Sequence, residues 1–306
     1  MAGIALVFPG QGSQAVGMGM AFASAYPEAA QVFQEANEAL GFDLMKLCME
    51  GPEDQLTLTF NTQAAILTVS TLCHRVLSKR ANITPVSLAG HSLGEYSALV
   101  AAGALKFGDA VKAVYQRGKF MQEATPVGVG AMAAILGTEP AELEAICKEM
   151  AQGQVVSPAN FNAPGQIAIS GNAEAVKRVL TKAKGKLLTV SAPFHCALMA
   201  PAAERMKQVL AGIQFSDAKQ PVCANVSNQF LTKAADFAPA LVQQVTAPVR
   251  WDTGVKAMIA QGATRFIEVG HGRVLAGLMK RIDKTVPISN VQDEETLKAT
   301  LVELGA

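Results

Sequence analysis

The segment Val-Ser-Leu-Ala-Gly-His-Ser-Leu-Gly-Glu-Tyr-Ser-Ala-Leu-Val-Ala-Ala occupies residues 86–102 and indicates the architecture of the chain. Val86–Ala89 is a short apolar run that predicts a buried strand, and a helix is predicted to run to about Ala102. Between them, residues 90–94 fit the pattern Gly-x-Ser-x-Gly, which places a serine hydroxyl on a tight turn at the end of a sheet. A strand, tight turn and helix in this order are typical of α/β proteins with a mostly parallel sheet.

Segments on both sides of this unit extend the same pattern. Short apolar runs predict further strands, and stretches with apolar residues at helical spacing predict helices. We expect Asp109 to cap one of these helices. The predicted strands are Ile4–Phe8, 222–226 and 265–269, and the predicted helices cover 28–40, 62–79, about 109–123 and the stretch from 272 to about 281.

The stretch 126–192 has a different order of predicted elements, which indicates a separate small unit. Its elements are expected in the order strand, helix, strand, strand, helix, strand, which is the ferredoxin-like order. We therefore predict a discontinuous hydrolase-like domain, formed by 1–125 and 193–306, with a ferredoxin-like domain inserted at 126–192. The predicted elements of the insert are strands at 129–136, 155–159, 166–170 and 187–191 and helices at 139–151 and 172–184.

Composition excludes several classes of function. The 306 residues carry 26 Lys and Arg against 25 Asp and Glu, and a neutral chain has no long-range attraction to nucleic acid or to an anionic membrane. No secretion signal and no apolar stretch of about 18 residues is present, so we expect a cytoplasmic protein. The five cysteines lack CxxC or metal-type spacing, which favours reduced thiols and no metal site.

Ser92 is the candidate nucleophile of the Gly-x-Ser-x-Gly segment. A helix that begins just after it presents unpaired backbone N–H groups, and the N–H of Leu93 is placed to stabilise developing negative charge. The alternative is a glycine-rich connector that merely exposes a serine. The flanking strand and helix favour the nucleophile.

A serine nucleophile needs a base, and the chain has four histidines. His74 lies within a predicted helix, His91 adjoins Ser92 in the tight turn and should point elsewhere, and His271 lies in a late turn. His195 follows the predicted insert, where the two domains rejoin, and is the candidate base; the alternative is a structural histidine. No carboxylate partner is evident between Ser92 and His195, although a backbone carbonyl can also fix the imidazole tautomer.

Arg117 lies on the apolar face of a predicted helix, together with Val114 and Met121. A buried guanidinium is costly unless it meets an anion, and its fork suits a carboxylate. From periodicity alone an internal ion pair with a protein carboxylate is the favoured explanation. The alternative is a ligand that carries a carboxylate.

The segment Gly10–Ala15 follows the first strand and fits the dinucleotide-binding pattern Gly-x-Gly-x-x-Gly/Ala. That function also requires an acidic residue at the end of a second strand about 20 residues later, where this chain predicts a helix. We therefore reject dinucleotide binding and interpret the loop as a turn at the same sheet edge as Ser92.

Several segments, in this order, resemble the malonyl-CoA:acyl carrier protein transacylase family. Their joint occurrence is far more specific than the serine pentapeptide, and the resemblance spans nearly the whole chain. It implies a hydrolase-like α/β core with an inserted ferredoxin-like domain. The segments are Phe8–Gln14, Gly90–Tyr96, Gln116–Gly118, Asn160–Gln166, Phe194-His195, Pro248–Trp251 and Glu268–Gly270.

The resemblance also implies roles for individual residues. Ser92 would be acylated, with His195 as base and then acid. Arg117 would bind the malonyl carboxylate, which reverses the preference stated above. Phe194 is typical of malonyl-selective relatives. The backbone N–H groups of Gln11 and Leu93 would form the oxyanion hole. The backbone carbonyl of Gln244 would orient His195. The substrate-binding residues would be Gln11, Met121, Arg117, Asn160 and Phe194.

The implied partners are malonyl-CoA and a holo acyl carrier protein that serves fatty acid synthesis. The coenzyme A thioester would be a substrate, with no resident cofactor or metal, and the protein is expected to be a monomer. Competing hypotheses are a serine thioesterase or esterase and a non-catalytic docking module. A carrier protein is typically acidic, so a basic cluster is a candidate docking surface; the alternative is a solvated helix face. The cluster comprises Lys177, Arg178, Lys182, Lys184 and Lys186.

Overall fold

The computed structural model describes residues 3–305 and contains two β-sheets. The larger sheet has six strands in the order β10-β9-β1-β2-β7-β8, and all its neighbours are parallel except the pair β7 and β8. This is the mostly parallel α/β sheet that the sequence predicts. Its strands are β1 (Ile4–Phe8), β2 (Ser87–Gly90), β7 (Val222–Cys223), β8 (Phe230–Leu231), β9 (Arg265–Val269) and β10 (Ile288–Val291).

Helices cover the large sheet, which explains why its central strands are apolar throughout. In β1, residues 5–8 are buried, as expected for a parallel strand with both faces covered. The longest helix, α5, is buried along most of its length. The helices outside the small sheet are α1 (Met20–Ala25), α2 (Pro27–Leu40), α3 (Leu44–Glu50), α4 (Glu53–Leu56), α5 (Thr59–Ser78), α6 (Gly94–Ala101), α7 (Phe107–Glu123), α10 (Ala200–Ala211), α11 (Ala234–Thr246), α12 (Trp251–Ala260), α13 (Val274–Ile282) and α14 (Glu294–Leu304), with a short 3₁₀ helix at Ala197–Met199.

The smaller sheet is antiparallel, with strand order β4-β5-β3-β6, and has its own apolar core. Counted within the unit, this is the order 2-3-1-4 of a ferredoxin-like fold, so the predicted fold class is confirmed. Pro140 occupies the first turn of its first helix, where the missing N–H costs nothing. The elements are β3 (Gly130–Leu136), α8 (Pro140–Ala151), β4 (Val156–Ala163), β5 (Gln166–Asn172), α9 (Ala173–Leu180) and β6 (Gly185–Leu187).

Backbone hydrogen bonds join the two units next to the candidate site. The N–H of Phe161 in β4 donates to the carbonyl of Val249 at 2.8 Å, and the N–H of Val249 donates to the carbonyl of Ala159 at 2.9 Å. The β4 edge of the small sheet is therefore bonded to the segment between Thr246 and Trp251, which belongs to the larger unit. The limits 126–192 enclose all elements of the small unit and remain our proposal for the inserted domain.

Several local predictions are wrong. Helix α9 of the insert ends at Leu180 instead of 184, and β4 continues to Ala163 instead of ending at 159. Helix α7 begins at Phe107 after Lys106, so Asp109 lies in the first turn instead of capping the helix. The last strand of the insert is β6 at 185–187, because those residues pair with Ala133–Ile135 of β3, rather than a strand at 187–191. The strand predicted at 222–226 is shorter, because β7 ends at Cys223 and Asn225 lies in the turn that follows, where it bonds to the backbone of Ser92.

Two further findings concern the chain as a whole. Across residues 3–305, none of the helices combines the length and the apolar character needed to cross a membrane. All five cysteines are free and buried.

Candidate active site

Ser92 lies on the sharp turn between β2 and α6, as the sequence predicts. Its φ of 51° is in the left-handed region, which is strained for a residue with a side chain. The turn also needs glycine on both sides. A Cβ atom on Gly94 would lie 2.1 Å from the carbonyl oxygen of Phe8, and one on Gly90 would lie 1.9 Å from the carbonyl of Gly94. The two glycines therefore permit the close approach that projects the Ser92 hydroxyl.

Two amide side chains hold the backbone of this strained turn. The Asn225 Oδ1 atom accepts a hydrogen bond from the N–H of Ser92 at 2.7 Å, and its Nδ2 donates to the carbonyl of Gly90 at 2.7 Å. On the other side, Gln244 Nε2 donates to the carbonyl of Ser92 at 2.9 Å. The sequence motifs predict neither contact. Asn225 could have been found, because it follows a strand that is parallel to β2 and ends at the same edge of the sheet.

His195 is the histidine that the structure brings to Ser92. The Ser92 Oγ and His195 Nε2 atoms are 2.8 Å apart, and His195 Nδ1 lies 2.9 Å from the carbonyl oxygen of Gln244. A carbonyl only accepts, so Nδ1 carries the proton and Nε2 is free to accept from the serine hydroxyl. The orienting group is thus a backbone carbonyl, at the residue named from the family resemblance.

The imidazole of His195 is held in its neutral form. Burial, together with the nearby Arg117 charge, lowers the pKa of His195 to about 3. It is therefore unprotonated at neutral pH, as a base must be. His91, by contrast, points away from Ser92, and its Nε2 donates to Asn162 Oδ1 at 2.8 Å.

The predicted oxyanion donors lie beside the serine. Gln11 and Leu93 both line the cavity that contains Ser92. Among the residues that the structure describes, neither backbone N–H has a hydrogen-bond acceptor. Two unpaired N–H groups at the start of a helix and at an adjacent turn can stabilise an oxyanion.

Arg117 is almost completely buried, with 1% of its surface exposed, and its fork meets neutral oxygens only. Its Nη1 donates to Gln63 Oε1 at 2.8 Å, and its Nη2 donates to Gln244 Oε1 at 2.8 Å and to Ser92 Oγ at 3.2 Å. Within residues 3–305 it forms no ion pair, and its Nε lacks an acceptor. The internal ion pair favoured by periodicity alone is therefore not what the structure contains.

The cavity around these groups has a volume of about 230 Å³ and lies between the large sheet and the insert. Its mouth includes Val190 from the insert side and Val274 from α13, both partly exposed. Gln244 is fully buried behind the cavity instead of lining it. The predicted substrate-binding residues Gln11, Met121, Arg117, Asn160 and Phe194 all line the cavity.

The predicted basic cluster divides into two kinds of residue. Arg178 donates to the carbonyls of Met150 and Ala151, so its guanidinium serves the end of α8. Lys177 pairs with Glu174 in the same helix. In the part of the chain that the structure describes, the exposed side chains of Lys182, Lys184 and Lys186 form no ion pair.

Comparison with known proteins agrees with this geometry. A family model described as "Acyl transferase domain" matches residues 5–301. The malonyl CoA-acyl carrier protein transacylase of Escherichia coli (strain K12) is 48% identical, over 98% of this chain and 99% of that protein. This chain therefore belongs to the acyl transferase domain family.

Solved structures extend the similarity to the whole fold. The malonyl CoA-acyl carrier protein transacylase of Coxiella burnetii superposes with a TM-score of 0.97 at 44% identity, covering 100% of this chain and 98% of that one. The malonyl-transacylase PlMCAT, solved with a type II polyketide acyl carrier protein, gives a TM-score of 0.95 at 46% identity, covering 98% and 99%. The family resemblance inferred from the motifs is confirmed.

Proposed function

We propose that this protein transfers the malonyl group of malonyl-CoA to the phosphopantetheine thiol of an acyl carrier protein, in the cytoplasm, for fatty acid elongation. The observation that carries the proposal is the buried Arg117 fork, which has no carboxylate partner among residues 3–305 and lies 3.2 Å from Ser92 Oγ. A buried cation of this kind favours an anionic ligand. Because the Arg117 guanidinium lies beside Ser92, the acyl group that fits best has its carboxylate one methylene from the thioester carbonyl. The malonyl group has this structure.

In the first half of the reaction, His195 Nε2 takes the Ser92 proton while Oγ attacks the thioester carbonyl carbon. The N–H groups of Gln11 and Leu93 stabilise the resulting oxyanion. When this intermediate collapses, the C–S bond breaks and His195 returns the proton to the departing thiolate. Coenzyme A leaves as a thiol, and the malonyl group remains as an ester on Ser92.

In the second half, the carrier-protein thiol gives its proton to His195 and its sulfur attacks the ester carbonyl. The C–O bond to Ser92 breaks, and His195 reprotonates the serine. Coenzyme A thus enters as part of a substrate, and the cycle uses no resident cofactor. Because the cavity lies where the insert meets the large sheet, we propose that 1–125 with 193–306 supply the catalytic groups and 126–192 one wall.

Product analysis tests the proposal against hydrolysis. Enzyme, malonyl-CoA and holo carrier protein are mixed, and the products are weighed by mass spectrometry. We expect malonyl carrier protein as the main product and a malonyl adduct on Ser92 when the carrier is left out. Free malonate as the main product would indicate a thioesterase, and the absence of any adduct would indicate a docking module.

The three unpaired lysines predict where the carrier protein binds. Strand β6 leads from Lys186 to Leu188 and Val190 at the cavity mouth, so an acidic partner there would be close to the site. Reversing the charges of Lys182, Lys184 and Lys186 together to Glu should raise the KM for carrier protein about tenfold. The KM for malonyl-CoA should not change. Lys298→Glu in α14 is the charge control, and an unchanged carrier KM in the triple variant would exclude this surface.

A further inference from the structure

Glu95 is a buried carboxylate that none of the catalytic steps uses. It lies one turn after Ser92 in α6 and is 3% exposed. Its Oε2 atom accepts a hydrogen bond from Gln244 Nε2 at 2.6 Å and a longer one from the N–H of Asn225 at 3.4 Å. These are the two residues whose side chains hold the backbone of Ser92. One carboxylate therefore contacts both supports of the strained turn.

The neighbours of the Gln244 side chain fix the orientation of its amide group. Its NH₂ group faces two acceptors, Glu95 Oε2 and the carbonyl of Ser92, while its oxygen accepts from Arg117. If the amide were reversed, its oxygen would face the carboxylate and its NH₂ would face the guanidinium. The amide dipole is thus aligned between an anion and a cation, and each hydrogen bond strengthens the next.

We propose that Glu95 is a positioning residue, which acts through the Gln244 amide to hold Arg117 toward the acyl carboxylate and so sets selectivity for malonyl over acetyl groups. This inference rests on the proposed function. An anion in direct contact with Arg117 would occupy the fork that the substrate needs. A carboxylate one amide away compensates part of the buried charge without itself contacting the guanidinium, whose Nε has no acceptor among the described residues.

Because Glu95 can be protonated, its positioning role predicts that acyl selectivity depends on pH. Burial raises the pKa of Glu95 to about 7, although the bond from Gln244 opposes the shift. The groups that face it are Arg117, which favours the anion, and Tyr96 and Cys223, whose pKa values burial raises to about 12. Both of these stay neutral near pH 7. Below that pH, protonated Glu95 would lose its negative charge, so its hydrogen bond from the Gln244 NH₂ group would no longer be charge-assisted and would weaken.

The test compares kcat/KM for malonyl-CoA and acetyl-CoA, because this quantity reports the free enzyme. Glu95→Gln keeps the shape and removes the charge. We expect it to lower malonyl transfer by about tenfold to a hundredfold and acetyl transfer by no more than a few-fold, as for loss of a charge-assisted hydrogen bond. The matched control is Glu28→Gln, which also removes the charge of a buried carboxylate. Glu28 pairs with Arg80 and does not line the cavity, so this variant should leave the malonyl to acetyl ratio unchanged.

In the wild type, the malonyl to acetyl ratio should fall as the pH is lowered through about 7, and Glu95→Gln should abolish this dependence. An unchanged ratio in Glu95→Gln, with malonyl loading intact in the wild type, would overturn the inference and leave the proposed function standing. If Glu95→Gln does not fold, the wild-type profile decides, since a ratio that is flat between pH 6 and 8 also overturns it. Failure of the wild type itself to load malonyl would instead overturn the proposed function.

Discussion

Replacing Ser92 with alanine is expected to reduce malonyl transfer by about 10⁴-fold or more, since a catalytic nucleophile and its base act as one unit. In the proposed mechanism the imidazole activates the serine through the 2.8 Å contact between Ser92 Oγ and His195 Nε2. Without the hydroxyl no ester can form. Intact-protein mass spectrometry after exposure to malonyl-CoA should show no adduct, while steady-state assays measure the residual rate.

The chain offers a matched control in the same helix. Ser97 is buried in α6, and its Oγ has no hydrogen-bond partner among the described residues, so Ser97→Ala should leave loading unchanged. Ser92→Ala should also fold, because the turn is held through the backbone N–H and carbonyl of residue 92. A malonyl adduct that persists in Ser92→Ala would show that another residue is acylated.

The parts of the fold that could be predicted are those with local causes. The β1 and β9 limits agree with their apolar runs, and the serine turn follows from the spacing of Gly90, Ser92 and Gly94. Errors occurred where distant partners decide the structure. Strand β6 is placed by its pairing with β3, and its own residues are exposed, so no apolar pattern marks it.

In the candidate site, too, residues with local sequence signals could be predicted and residues placed by distant contacts could not. Ser92 and His195 could be selected from a motif and from elimination among four histidines. The Gln244 side chain and Glu95 could not, because their contacts join residues 149 positions apart in the chain. Helical periodicity placed Arg117 on a buried face, yet it could not show whether a protein carboxylate faces the guanidinium. In the folded protein the guanidinium meets the side-chain amide oxygens of Gln63 and Gln244.

Those neutral partners lead to the most discriminating substitution, Arg117→Ala. We expect malonyl kcat/KM to fall by about a hundredfold to a thousandfold, the range found when one partner of a buried charged contact is removed. Acetyl transfer should fall much less, because an acetyl group has no carboxylate to bind. Parallel assays with both acyl-CoA esters give the ratio.

Arg117→Lys separates charge from geometry. A lysine keeps the positive charge but cannot contact Gln63, Gln244 and a carboxylate together through a planar fork, so it should restore only part of the malonyl rate.

Loss of the arginine in Arg117→Ala should also let the pKa of His195 rise, because the cation is one cause of its low value. The acid limb of acetyl transfer would then move to higher pH. If malonyl and acetyl rates fell equally in Arg117→Ala, the arginine would be supporting the serine turn instead of recognising a carboxylate, and the acyl specificity would have to come from another part of the cavity.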